Sequence, residues 1–208
     1  MRILARVLGT LLLVCGVVAL IIGIAVMAIV GREDRIPLGE QQWSSTGAAV
    51  VSGDGLFSVM GPTLHVEATS EKPLFIGVGH TDDVTDYLDK TECTVISSWE
   101  PPSAFGTDQI SGESKEARAK PDGLDWWVAQ STGDGSATLD WTMTDGHYSF
   151  VIMNADGSPA VDTDATLAIR IEGLFDTALL VAIGGLLGVA AGVASYVFTR
   201  RRKQVTAS

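Results

Sequence analysis

Two long stretches without a charged residue, one near each end, constrain this chain more than anything else in it. Val7–Val30 and Thr177–Phe198 contain no Asp, Glu, Lys or Arg. Each is long enough for a bilayer crossing, which takes about 20 residues of helix. Arg2 and Arg6 precede the first run, and Arg200, Arg201, Arg202 and Lys203 follow the second. Basic residues beside membrane spans stay on the cytoplasmic side, so both tails are expected there and the middle of the chain outside. The resulting plan is a short N-tail (1–6), a first transmembrane helix (7–30), a polar connector (31–47), an extracytoplasmic β-domain (48–173), a second transmembrane helix (174–198) and a basic C-tail (199–208).

The first run admits other readings. A signal peptidase site is conceivable at Val26-Met27-Ala28, but the run exceeds the usual signal core of about 7–15 apolar residues, which favours a retained helix. Leu12-Leu13-Val14-Cys15 has Val where a lipoprotein signal needs a small residue, and the apolar run continues past Cys15. Within the runs, Gly184, Gly188 and Gly192 recur every four residues and Gly9, Gly16 and Gly23 every seven. Small residues let helix backbones approach in lipid, so both sets are expected to pack against a helix, whether the other span, a second copy or another protein.

Charge is partitioned between tails and middle. All 25 acidic residues and 8 of the 14 basic ones lie between Arg32 and Asp176, a net of −17 against −11 for the whole chain. Nucleic acid and anionic lipid would be repelled by such a segment, whereas cations and basic protein surfaces would be attracted. The two cysteines, Cys15 in the first span and Cys93 in the middle, are placed too differently to form a bridge. Cys93 is expected to be a small buried apolar residue.

The middle reads as β-structure. Ala48–Val51, Leu64–Ala68, Cys93–Ile96, Trp126–Gln130, Thr138–Met143, His147–Met153 and Ala165–Glu172 are short apolar or alternating runs. Leu74–Gly79 is apolar on both faces, as a central strand is. Leu139–Ser158 is expected to be a hairpin turning at Thr144-Asp145-Gly146, where Gly supplies the positive φ of a tight reversal. Thr81–Leu88, with a candidate N-cap at Thr81 and acids following, predicts a short helix. Glu100–Gly123 reads as a long surface loop. About eight strands with frequent turns predict an all-β antiparallel sandwich, jelly-roll-like, with Leu74, Ile76, Trp141, Phe150, Ile152, Leu167 and Ile169 in its core. Trp43 suits either a headgroup anchor or the domain edge, the second being simpler. As a strand, Trp126-Trp127 would put one ring inside and one outside.

The chain contains no nucleophile elbow, Walker loop, HExxH or CxxC, so no catalytic residue and no cofactor is expected. His65, His80 and His147 fall in separate segments and do not have the spacing of a zinc set. Carboxylates are the better chemical lead. Asp82, Asp83, Asp86 and Asp89 crowd the short helix, while Asp156, Asp162 and Asp164 surround a turn and are the candidates for calcium, which takes several oxygen ligands.

Two blocks carry a resemblance. Pro73–Gly79 (PLFIGVG), with Asp83-Val84 and Tyr87-Leu88, and Asp145–Ser149 followed by Val151–Ser158 (ending MNADGS) resemble a family of small actinobacterial membrane proteins of uncharacterised function. Tyr148 stands near the position of that family's usual Trp. The resemblance implies two transmembrane helices around an extracytoplasmic β-domain and brings no activity with it. The expectation is a non-enzymatic accessory protein of the cell membrane that partners other membrane or envelope proteins or itself, with no nucleic acid. The alternative is an extracytoplasmic ligand or cation sensor.

Overall fold

The computed structural model describes residues 2–54, 56, 61–100 and 104–204. In chain order the elements are α1 (Arg2–Val30), β1 (Arg35–Ser45), β2 (Ala49–Ser52), β3 (Thr63–Thr69), β4 (Leu74–His80), α2 (Thr81–Leu88), β5 (Cys93–Glu100), β6 (Ala104–Ile110), β7 (Ala129–Gly133), β8 (Ser136–Thr142), β9 (Tyr148–Asn154), β10 (Val161–Arg170) and α3 (Leu174–Gln204). They form two compact units, the helices with their flanks (1–35 and 172–208) and a β-domain (36–171).

In the helical unit, α1 and α3 each carry a stretch long and apolar enough to cross a membrane, Val7–Val30 and Leu174–Ser195. Gly31 ends α1 in the left-handed conformation at φ 65°, its N–H donating to the Met27 carbonyl at 3.0 Å. Asp34, itself left-handed at φ 57°, turns its carboxylate onto the start of α3. It accepts from the Phe175 N–H at 2.7 Å and the Gly173 N–H at 3.0 Å. Those donors have no partner within the helix, and a carboxylate beside them also suits the helix dipole.

The β-domain is a sandwich of a four-stranded sheet, β1-β10-β3-β8, and a six-stranded sheet, β6-β5-β2-β9-β4-β7. In β8 and β10 the inward residues Ala137, Leu139, Trp141, Val161, Ala165 and Leu167 alternate with exposed ones, so one face of the smaller sheet is core and the other polar. Leu74, Ile76, Val78, Phe150 and Ile152 meet them from the larger sheet. Six of the seven residues expected in this core are buried there, and Ile169 packs against it half-buried.

The six-stranded sheet is also covered on its other face. Phe75, Val151 and Met153 point away from the sandwich core into a second cluster with Val84, Tyr87 and Leu88 of α2, Cys93 of β5 and Trp127. Residues 111–128 complete this third layer without regular structure beyond a single 3₁₀ turn at Pro121–Gly123. Arg118 donates to the Asp86 and Asp89 carbonyls and to the Asp89 carboxylate, closing the C-terminal end of α2. The Tyr87 hydroxyl donates to Ala119 O at 2.6 Å and Trp127 Nε1–H to Pro121 O at 2.9 Å. Burial of Tyr87 pushes its pKa up to about 12, so it remains a donor throughout the physiological range.

Several expectations are corrected. Residues 31–47 are not simply a connector: β1 occupies much of them at the edge beside β10, and Leu38 and Trp43 are core residues. Glu100–Gly123 is not one surface loop, because β6 pairs antiparallel with β5 and the rest is pinned as described; Pro101 and Pro102 lie outside the described residues, as do 205–208 of the basic tail. The larger sheet is mixed, since β2 runs parallel to β5. Thr81 opens α2 one residue after its N-cap, His80. Most telling, β8 and β9 do not form a hairpin. β8 pairs with β3 in one sheet and β9 lies between β2 and β4 in the other, so Met143–His147 is a crossing between sheets.

Trp126 and Trp127 precede β7 rather than lying on a strand. Their rings are 4.0 Å apart and both lie over the outer face of β4. Gly77 and Gly79 make the room: a Cβ on Gly77 would come within 2.7 Å of the Trp127 ring, and one on Gly79 within 2.6 Å of Trp126. Gly77→Ala is therefore expected to destabilise the domain by about 1–3 kcal/mol through overpacking. Gly123→Ala, which meets nothing within 4 Å, should be near neutral. Denaturant unfolding of the two variants checks this, and equal stabilities would reject the layered packing of the tryptophans on β4.

Candidate functional site

The small residues of the helical unit come together as a seam. Gly9, Gly16, Gly23 and Val30 are the buried positions at seven-residue spacing on α1; Ala178, Ala182, Gly185 and Gly192 are buried on α3. A Cβ on Gly16 would sit 2.7 Å from both the Gly185 carbonyl oxygen and the Val189 amide nitrogen. One on Gly23 would sit 2.7 Å from Ala178 O, and one on Gly9 2.9 Å from Ser195 Oγ. From the other side, Gly192 abuts Leu13 and Gly9, and Gly188 is 3.3 Å by the same measure from Gly16 Cα. Gly184 lies outside this seam, since a Cβ there meets nothing within 4 Å, and Gly185 stands in it. Strict four-residue spacing drifts around a helix of 3.6 residues per turn, whereas a seven-residue repeat holds one face toward a neighbour. Alternation between Gly185 and Gly192 was the signal available in the sequence for the residue that was missed.

The carboxylate candidates are dispersed. Asp156 is in a turn, where its Oδ1 accepts from the Ser158 N–H at 2.9 Å. Hydrogen bonding to Ser158 holds its carboxyl below the usual range. Asp162 and Asp164 project from the exposed face of β10 beside a shallow groove that also touches Gln42 and Glu71. Among the described residues, no group of three or more His, Cys, Asp or Glu is placed to hold a metal. Of the acids on α2, Asp82 and Asp83 occupy the first turn and Asp89 pairs with Arg118 at 2.9 Å.

The histidines have separate roles. His65 is buried on the outer side of β3, its Nδ1 2.7 Å from Asp140 Oδ1 on the neighbouring strand. His80 stacks on Tyr148 with ring centroids 4.7 Å apart. His147 is not on a strand but in the crossing before β9, and its Nδ1 lies 3.0 Å from Asp54 Oδ1. The hydrogen bond and charge of Asp54, with further contributions from Asp82 and Asp145, raise the His147 pKa above its ordinary value.

That pair stands at one end of a cleft of about 390 Å³ on the outer face of the six-stranded sheet. The strands supply an apolar floor, Val51 of β2 with Cys93 and Val95 of β5, while Val84 and Leu88 of α2 form a wall. Asp54, Thr81 and Ser149 close one end through a chain of contacts: Ser149 Oγ donates to Thr81 Oγ1 at 3.2 Å, and Thr81 Oγ1 to Asp54 Oδ1 at 3.5 Å. Lys90, Thr91 and Ser111 border the other. Thr91 Oγ1 is buried there with no hydrogen-bond partner among the described residues. Cys93 is buried as expected, and burial with the nearby Glu92 charge pushes its thiol pKa up, so it is a neutral thiol and a poor nucleophile at neutral pH. Local sequence reasoning could not find this cleft, because its walls come from β2, α2, β5 and β9, which meet only in the fold.

No protein-family model matches the chain, and comparison with curated proteins yields no match.

Two outcomes test this geometry. Gly16→Leu is expected to force α1 from α3, lowering both the thermal midpoint in detergent and the level of the protein in membranes, while Gly184→Leu leaves both unchanged; equal effects at the two sites would reject the seam. For His147, an NMR titration should give a midpoint above the ordinary histidine value, reduced in Asp54→Asn. The sign follows from the raised folded pKa: any stabilisation by this pair is full below the unfolded pKa and disappears as pH rises through the folded one.

Proposed function

We propose that this chain is a non-catalytic, membrane-anchored accessory protein that holds an acidic β-domain on the extracytoplasmic side and engages another membrane or envelope protein there. The observation that carries this reading is the small-residue seam. Glycines on both helices are taken up by each other, so the two spans close into a hairpin that anchors a domain without a further helix. The side chains left outward, such as Leu8, Leu11, Ile22, Leu180 and Leu187, are apolar and suit lipid.

Orientation rests on the tail charges. Four basic residues follow the second span and two precede the first, with no acid in either tail, which favours cytoplasmic termini. The net of −17 on the middle segment then faces outward, where it favours a basic partner surface and speeds encounter with it. The PLFIGVG and MNADGS blocks add the resemblance to membrane proteins of the same layout. A calcium-sensing role has less support, since the carboxylates proposed for it do not converge.

Reporter fusions at both termini are expected to be cytoplasmic, and a tag inserted after Gly123 accessible on intact cells. Purification in mild detergent should bring down a stoichiometric partner whose association weakens as salt rises. A C-terminal tag exposed on intact cells would overturn the orientation, and a chain that purifies alone from gently solubilised membranes would overturn the accessory role.

A further inference from the structure

The cleft between α2 and β5 is apolar along its middle and acidic at one end, a combination that selects for a particular ligand chemistry. We infer that it is a binding site for a small organic amine, its cationic head at Asp54 and its apolar body lying on Val51, Val84 and Val95. The inference belongs to the β-domain alone, so it stands or falls independently of the membrane orientation.

The volume, about 390 Å³, is in the range of small-molecule sites, which run from about 300 to 1,000 Å³ and are mostly apolar with a few placed polar groups. The floor is sheet and the wall is helix, both held by the second core, so little ordering is needed when a ligand enters. The two ends differ in charge. At the far end Asp89 is bonded to Arg118, and Lys90 lies 3.9 Å from Glu113, so each charge there has an opposite neighbour. At the near end Asp54 lines the cleft and bonds to His147, an imidazole that the Asp82 and Asp145 charges also act on. An excess of carboxylate next to an apolar floor attracts a cation that also carries apolar surface, and repels a carboxylate of the same shape. Asp54 is oriented by His147 Nδ1 and the Thr81 hydroxyl, and its side chain remains 56% exposed, with room to accept from a further donor.

Cys93 on the cleft floor, buried and slow to react as a neutral thiol, offers one readout beside the unfolding temperature. In the full chain carrying Cys15→Ser, reconstituted in nanodiscs, N-ethylmaleimide labelling of Cys93 is followed with 2-phenylethylamine, 2-phenylethanol or 3-phenylpropanoate present. The amine is expected to slow labelling saturably, by about tenfold at ten times its half-saturating concentration, and to raise the unfolding temperature. The alcohol should protect less and the carboxylate not at all. Asp54→Asn should weaken protection by the amine, and Thr85→Trp, which fills the cleft from the exposed side of α2, should abolish it while the unfolding transition remains cooperative. Equal protection by amine and carboxylate would overturn the proposal, as would no protection by the amine up to about 10 mM, well beyond a useful fragment affinity. If Cys93 proves unreactive in the folded chain, the unfolding temperature decides: no rise with the amine overturns the proposal, and a rise lost in Asp54→Asn supports it.

Discussion

Burial of the central strands β4 and β9 on both faces is the constraint on which the rest of the β-domain depends. β4 and β9 carry apolar residues in both directions, so the four-stranded sheet alone cannot shield them. Phe75, Val151 and Met153 would face water if α2 and residues 111–128 did not cover them. That requirement explains why an irregular, highly charged stretch is nonetheless held in place, by Arg118 on the end of α2, by Tyr87 on Ala119 and by Trp127 on Pro121. It also explains the glycines of β4. With Phe75 filling one outward position, Gly77 and Gly79 leave space for the two indole rings to come close to the strand, where they cover its outer face.

The same constraint creates the cleft. The third layer covers β4 and β9 but reaches β5 only near Cys93, leaving Val95 half-buried and Ile110 exposed beside α2. An incomplete cover over a well-packed sheet gives a rigid apolar floor with polar rims, and the crossing from β8 to β9 sets His147 against Asp54 at one of them. In the helical unit a different physics acts. Contact there depends on how closely the two backbones approach, and glycine at seven-residue spacing is what permits it, the kind of packing that holds helices together where a surrounding lipid would remove the hydrophobic drive.

How much of this was legible depends on the range of the interaction concerned. Period-two alternation in β8 and β10, double-sided apolarity in β4, the helical start at Thr81 and the length of the two terminal runs are local properties and were readable residue by residue. Leu38 was not, because a Leu among polar residues carries no periodic signal until β1 is seen to pair with β10. Residues 104–110 likewise alternate weakly, and only pairing with β5 makes them a strand. Of the candidate site residues, the seam glycines were visible as small-residue repeats, but choosing Gly185 over Gly184 required knowing where α1 lies.

Leu139–Ser158 separates the two kinds of information most sharply. Its alternating residues and its turn at Gly146, with φ 140°, were determined by the sequence itself, since side-chain period and positive φ are decided within a few residues. So were the two apolar spans, the charge of their flanks and the partition of acid into the middle. Whether the strand after the turn folds back on the strand before it was left open, because a five-residue connection serves a hairpin or a crossing equally well. The tertiary structure decided for the crossing: β3 already offers β8 a partner at its edge, and the doubly apolar β9 gains most between β2 and β4, where both its faces are buried. The cleft exists only because that choice was made.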